Sequence, residues 1–326
     1  MDAGGMLQPG PGLGLDRAQR AGEWLVVPLP DPLPEFLAAG SHPHRVRQWL
    51  LALAVFPDKW VNRLFSVGGL KMDGGRLWLQ AFPKAGLGRH EWAAEPSGSG
   101  SGASADVLFE DDWCLVLNKP AGMAVHPSRP GHRGTLDESA LRHCLATGQD
   151  APVRHIHRLD DDTSGPVLYA KNDLAQLRLD EAMRRKAIDR RYLALVNGVP
   201  RRRKGTIDAP IGRDRHHGSR RRIAPAGETA VTHYETLAAG EGAALVRVTL
   251  ETGRTHQIRV HFSHIGHPLI GDTLYGAPAE PLLRHQALHG ERLIFPHPWT
   301  GTETAIACPL PGWFADLSTR LGLVTK

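Results

Sequence analysis

The chain has 326 residues, 41% of them hydrophobic, with a formal charge of +5 and a sequence pI near 9.3. This is enough apolar material for one large domain with a smaller one attached, and the positive balance favours a polyanionic partner without naming it. Cys114, Cys144 and Cys308 are too few and too far apart for a disulfide framework or a Cys-x-x-Cys zinc pattern, and no uncharged apolar run approaches the roughly 18 residues of a membrane span.

The first residues, Met-Asp-Ala-Gly-Gly-Met, lack the basic-then-apolar order of a signal peptide, so a cytoplasmic protein is expected. Residues 1–22 are rich in Gly, Pro and Ala without apolar periodicity and are expected to be disordered. Trp24–Pro28 is predicted as a strand. A helix is predicted from about Pro43, with Val46, Trp49, Leu50 and Leu53 on one face, and a second over Asp58–Phe65 with Asp58 as its cap. A hairpin around Asp73-Gly74 follows. Two helices and a hairpin over residues 23–95 resemble, in arrangement, the S4-like RNA-binding module. Trp49, Trp60 and Trp78 are read as core. Residues 96–105, Ser- and Gly-rich, have the composition of a flexible linker that would let a front module hold RNA while the rest of the chain searches.

Beyond it, Val107 to Pro127 reads as two strands around the acidic turn Glu110-Asp-Asp112, and Leu136–Thr147 as a helix. His155 to Leu159 alternates with period two and is predicted as a strand. Asp160 to Gly165 is turn chemistry, and Val167–Ala170 is a buried strand. On residues alone, Arg158 and Asp160 read as a surface ion pair bracketing a hairpin. Pro166 lacks an N–H and is expected at the first position of its strand. A helix over Asp173–Lys186 precedes a strand over Arg190–Gly198. Gly205–Arg222, basic and irregular, is predicted as a loop or mobile hairpin, and Ala230–Leu237 and Ala243–Leu250 as strands. Basic residues cluster from Arg178 to Arg222, an arrangement suited to neutralising phosphates.

Three stretches, in order, carry a resemblance: His157-Arg-Leu-Asp-Asp-Asp-Thr-Ser-Gly165, Tyr192-Leu-Ala-Leu-Val196, and Gly253-Arg-Thr-His-Gln-Ile-Arg-Val-His261 with its tail Gly271-Asp-Thr-Leu-Tyr-Gly276. Together they resemble the RluA family of RNA pseudouridine synthases, over about residues 107–312. The resemblance implies an α+β fold, a mainly antiparallel central sheet flanked by helices, with the catalytic domain over 106–326 and the S4-like module ahead of it. It implies Asp160 as catalytic residue, Arg259 as its ion-pair partner and Tyr192 stacked on the uracil. His157, Arg158, Leu159, Thr163, Arg254, His256, Gln257 and Ile258 are implied as substrate-binding residues, and Lys119, in Asn118-Lys-Pro-Ala-Gly122, as a supporting one. The implied reaction breaks the N1–C1′ bond of a uridine in ribosomal or transfer RNA and joins C5 to C1′, with neither cofactor nor metal. The base must leave its stack first, and Arg158 could fill the vacated place. The histidines raise a metal site as a competitor, but no acid or thiol recurs at ligand spacing. Two further functions compete with the synthase: a catalytically silent RNA-binding factor of the same fold, and a hydrolase using a carboxylate pair. A monomer is expected.

Overall fold

A computed structural model describes residues 13–31, 37, 42–87 and 105–323, and the proposed linker lies almost wholly outside them. The front unit holds β1 (Gln19–Ala21), β2 (Trp24–Pro28), α1 (Pro43–Leu53), α2 (Asp58–Ser66), β3 (Leu70–Asp73) and β4 (Arg76–Leu79). Its four strands pair antiparallel in the order β1-β2-β4-β3. Gly74 and Gly75, both at positive φ, make the tight turn that the Asp-Gly signal announced. Two expectations need correction. Residues 13–22 are ordered, because β1 finds a backbone partner in β2; the rest of the expected tail lies outside the described residues. The N-cap of α2 is Pro57, so Asp58 is the first helical residue and serves the helix dipole rather than the cap.

The larger unit runs β5 (Asp106–Glu110), β6 (Cys114–Lys119), α3 (Leu136–Ala146), β7 (Arg154–His155), β8 (Gly165–Ala170), α4 (Asp173–Arg184), β9 (Asp189–Asn197), β10 (Lys204–Asp208), β11 (Ile211–Arg213), β12 (Arg221–Ile223), β13 (Val231–Gly240), β14 (Ala243–Leu250), α5 (Gln257–His264), β15 (Leu288–Pro296), β16 (Glu303–Ala307) and α6 (Gly312–Arg320). Four strands form the sheet β5-β6-β8-β7 and six form β10-β13-β14-β9-β15-β16, all laterally antiparallel. Side-chain caps start the helices between: Thr135 accepts from the Glu138 N–H at 3.3 Å for α3, and Asn172 from the Ala175 N–H at 2.9 Å for α4.

The two sheets meet at one seam, a parallel bridge between Ser164 and His289. There Gly165, at φ +133°, lies against Gly290: a Cβ on residue 165 would stand 2.7 Å from Gly290 Cα and N. Pro166 is second in β8 rather than first, at a point the two-residue strand β7 does not reach, so its missing N–H costs no ladder bond.

The strand expected over His155–Leu159 is only Arg154–His155. The Ile156 N–H still reaches the Leu168 carbonyl, but the Leu168 N–H then donates to the His157 ring at 3.3 Å. That side chain ends the ladder and frees the backbone to turn toward Asp160. Gly205–Arg222, expected as a loop or mobile hairpin, begins within β10, which pairs along β13, and continues into the β11–β12 hairpin.

The front unit is not a free module. Its Phe56 stacks on Trp299 (6.4 Å between centroids) and its Phe82 meets Trp113 edge-on (5.0 Å), while Trp113 and Trp299 stack at 4.7 Å. Arg178 of α4 enters this apolar junction and donates to the Pro298 carbonyl at 2.7 Å and the Val55 carbonyl at 3.0 Å, its burial pulling its pKa down to about 10. Arg178→Met removes the donor from both carbonyls. We expect a loss of about 2–3 kcal/mol, read as earlier proteolytic separation of the front unit; unchanged proteolysis and melting would show that the aromatic contacts suffice.

Candidate active site

Asp160 closes the chain's turn out of β7. Its carbonyl accepts from the Thr163 N–H at 2.9 Å, making a four-residue turn whose acids face a cleft. Beneath the turn lies Lys119, fully buried at the end of β6, which donates to the carbonyls of Pro120 (2.9 Å), Met123 (2.6 Å) and Asp161 (2.5 Å). A solvated lysine is the ordinary reading of a Pro-Gly loop; here burial pulls its pKa down to about 8, against the opposing pull of Asp161, Asp162 and Asp160. Lys119→Met keeps the stem and removes the tether. If Asp160 is the reacting group that the resemblance implies, small misplacements of it are costly, and we expect the single-turnover rate on RNA to fall by about 10²-fold, with RNA affinity within twofold; an unchanged rate would reduce Lys119 to a packing residue.

Two cavities share the wall made by Arg158, Leu159, Asp160, Thr255, His256 and Arg259. The smaller, about 80 Å³, is floored by Tyr192, Leu250, Ile258 and Leu288, with Arg190, Arg254, Gln257 and Thr163 completing it. The larger, about 480 Å³, opens toward His126, Ser128, Arg284 and His285. Asp160 keeps 26% of its side chain exposed between them.

Its electrostatics differ from expectation. Arg259 approaches the Asp160 carboxylate at 3.8 Å, but its fork is committed to Asp272, at 2.7 and 2.8 Å through Nε and Nη2. The pairing with Asp160 is therefore a longer, secondary contact. Burial pushes the Asp160 carboxyl above the usual carboxylate range, and Arg259 and Arg158 only partly offset it. Burial likewise raises the Tyr192 phenol, which stays neutral and suits stacking better than accepting a proton.

The remaining implied residues divide. Arg158 donates to the Thr255 hydroxyl at 3.1 Å across the rim between the cavities. Arg254 is held by Glu228 and by the Thr229 carbonyl at 3.0 Å. Thr163 accepts from Gln286 at 3.2 Å. Gln257 reaches the small cavity, yet its amide is spent within the protein: it donates to the Val231 carbonyl and Thr232 hydroxyl, and accepts from the Thr252 hydroxyl and Arg254 N–H. His157 is not brought to the cleft at all. It is buried, its ring accepts from the Leu168 N–H, and it lines neither cavity, where the resemblance implied a substrate contact. Sequence reading gave no individual role to Asp272 and Tyr275, inside the Gly271–Gly276 tail, and placed Arg190, just ahead of Tyr192, only among the basic residues suited to phosphates, whereas it lines the smaller cavity.

The histidines do not gather as a ligand set. Among the described residues, the grouping able to hold a metal is Asp111, Cys114 and His297, and there the His297 ring is already engaged by Asp111 at 2.5 Å and by the Trp299 and Thr300 N–H groups.

With this geometry in place, the likeness to known proteins becomes specific. A family model described as RNA pseudouridylate synthase matches residues 113–264, which include the Asp160 turn, Tyr192 and Arg259. The RNA pseudouridine synthase YhcT of Bacillus subtilis is 49% identical over 214 residues, covering 65% of this chain and 70% of its own length. Ribosomal large subunit pseudouridine synthase D of Pseudomonas aeruginosa is 36% identical over 302 residues, covering 83% of this chain and 90% of its own, so that alignment reaches into the front unit. Among solved structures, human RNA pseudouridylate synthase domain containing 4 superimposes with a TM-score of 0.56 at 27% identity, covering 66% of this chain and 92% of its own. The chain belongs to the RluA-type RNA pseudouridine synthases, enzymes that isomerise uridine within RNA.

Proposed function

We propose that Asp160 is the catalytic carboxylate and that the target uridine, extruded from its RNA, seats its uracil in the smaller cavity between Tyr192 and Ile258. The observation carrying this reading is the place of Asp160: a partly exposed carboxylate on the wall between an aromatic-floored cavity and an open polar cleft, with Arg259 at 3.8 Å. The ribose would then lie at the carboxylate and the flanking strand in the larger cleft. Arg158, on the rim, fills the gap left by the flipped base. Exposed Arg201, Arg202, Arg203 and Lys204, with the β11–β12 hairpin carrying Arg220, Arg221 and Arg222, meet flanking phosphates. Isomerisation involves neither redox change nor net hydrolysis, so no cofactor is required.

The names of the relatives make large-subunit ribosomal RNA the first substrate to test. The front unit, S4-like in its arrangement, would contact the same RNA, and the working enzyme is taken as a cytoplasmic monomer without metal. The deciding measurement is tritium release from RNA labelled at C5 of uridine, taken from cells lacking this protein and separated into large ribosomal and transfer pools. Release from the ribosomal pool by the wild type, and none by Asp160→Ala, is expected. Release from the transfer pool alone would move the substrate assignment, and release by Asp160→Ala would end the catalytic one.

A further inference from the structure

His256 sits at φ +58°, left-handed backbone that a non-glycine residue adopts at a cost, at the entrance to α5. The conformation aims its ring between two groups. On one side Nδ1 is 2.8 Å from the Tyr275 hydroxyl; on the other Nε2 is 4.0 Å from the Asp160 carboxylate. The Tyr275 oxygen already accepts from the backbone N–H of Arg221 at 2.9 Å, and the residue is only 3% exposed. If Nδ1 carried the proton, the Tyr275 O–H would be buried with nothing to donate to. The lower-cost arrangement has the phenol donating to Nδ1, which places the imidazole proton on Nε2. Burial, helped by Arg259, pulls the His256 pKa down to about 4, so the ring is neutral at physiological pH.

The Nε2–H therefore faces the cavities, and 4.0 Å is too far for a hydrogen bond to Asp160. We propose that His256, set by Tyr275, is a neutral hydrogen-bond donor to the uracil carbonyl O2, the oxygen beside the glycosidic nitrogen, while the base is detached. This rests on the target uridine lying at Asp160. When N1–C1′ breaks, the bonding pair stays on the base and its charge spreads from N1 over O2 and O4. A donor fixed there stabilises the anion. Because a neutral imidazole is far too weak an acid to give its proton away, the anion is not quenched; it can turn and bond C5 to the C1′ left electron-deficient by the cleavage, after which the C5 proton passes to the Asp160 carboxylate and N1 takes up a proton from water. An imidazolium in the same place would be acidic enough to protonate N1 and favour loss of free uracil. Arg221 lies in the β11–β12 hairpin, so its N–H links the placement of this donor to a segment outside the cavity wall.

Three measurements on the full chain test this. Ring-nitrogen NMR of the resting enzyme should show His256 as the Nε2–H tautomer, and Tyr275→Phe should give a mixture. At saturating RNA, His256→Leu should lower the single-turnover rate by about 10²-fold with RNA affinity within twofold, and His256→Gln, which retains an N–H near the Nε2 position, should recover much of it. RNA carrying 2-thiouridine at the target replaces O2 with a poor acceptor; it should slow the wild type and slow His256→Leu no further. An Nδ1–H resting tautomer, or an equal thio penalty in both proteins, would overturn the proposal. Full turnover by Asp160→Asn would instead remove the placement beneath it, and the NMR result would stand untouched.

Discussion

Asp160→Asn lowers the single-turnover rate by about 10⁴-fold, leaves RNA affinity within a few-fold, and raises the thermal midpoint of the protein. The first two effects follow if the carboxylate acts only on the reacting centre: the amide keeps the shape, the turn hydrogen bond from Thr163 and the contacts that hold RNA, but can neither attack nor take a proton. The third follows from the direction of its pKa. Burial raises the folded-state value above that of the unfolded chain, so the folded protein binds the extra proton, and stability declines as pH rises through the interval between the two values. Above it the folded state bears the cost of an under-solvated charge, which Asn removes. The same shift sets the pH profile. If the ionised carboxylate is the acting form, as proposed, the wild-type rate at saturating RNA should fall as pH drops through a limb lying above the ordinary carboxylate value of about 4. Gel shift, thermal melts and a rate profile check the three together. Binding lost in step with turnover would make Asp160 an RNA contact, and a lower melting point would mean that its contact with Arg259 outweighs its burial.

Gly165→Ala is expected to cost about 3 kcal/mol or more, and to show as insoluble expression or a large drop in melting temperature. At φ +133° any side chain is strained, and the atoms a Cβ would meet are the backbone of Gly290 at 2.7–2.9 Å, with no flexible group to move aside. The contact holds the seam of the two sheets, where the Gly290 N–H donates to the Ser164 carbonyl at 2.8 Å and the Ser164 hydroxyl meets His289 at 2.9 Å. Five residues upstream is Asp160, so any protein that folds should also turn over poorly. Gly290→Ala is the milder companion, its closest approach being the Pro166 ring at 2.9 Å. Native melting by Gly165→Ala would mean that the seam opens without penalty.

The sequence was most legible where local rules decide the outcome. The Asp73-Gly74 hairpin, the start of α1 at Pro43, the acidic turn between β5 and β6 and the helices α3 and α4 all follow from turn residues, proline placement and apolar spacing. It failed where a distant partner decided. His155 to Leu159 alternates as a strand should, but the His157 ring takes the Leu168 N–H and ends the ladder, and in doing so buries a residue implied as a substrate contact. Lys119 reads on its residues alone as a solvated loop lysine, and only the resemblance gave it a supporting place, because the carbonyl that anchors it, that of Asp161, lies 42 residues on. The site shows the same division. Motif order brought Asp160, Tyr192 and Ile258 to one cavity, whereas nothing in linear sequence says that the fork of Arg259 belongs to Asp272 or that Tyr275 fixes the tautomer of His256.

The front unit bears on how the enzyme finds its uridine. A domain on a slack tether raises the local concentration of its neighbour and leaves the angle between them free. Here Phe56 and Phe82 are packed against Trp299 and Trp113, Arg178 is hydrogen-bonded across the junction, and Arg63 of α2 pairs with Asp173 at the start of α4. If the front unit grips RNA, as proposed, the gripped stretch would lie at one distance and one orientation from the Asp160 carboxylate. The pair would then work as a fixed gauge: an RNA would be accepted when the span between its gripped element and its target uridine matches the gauge, and one helical turn too many in that span would exclude a uridine of otherwise suitable sequence.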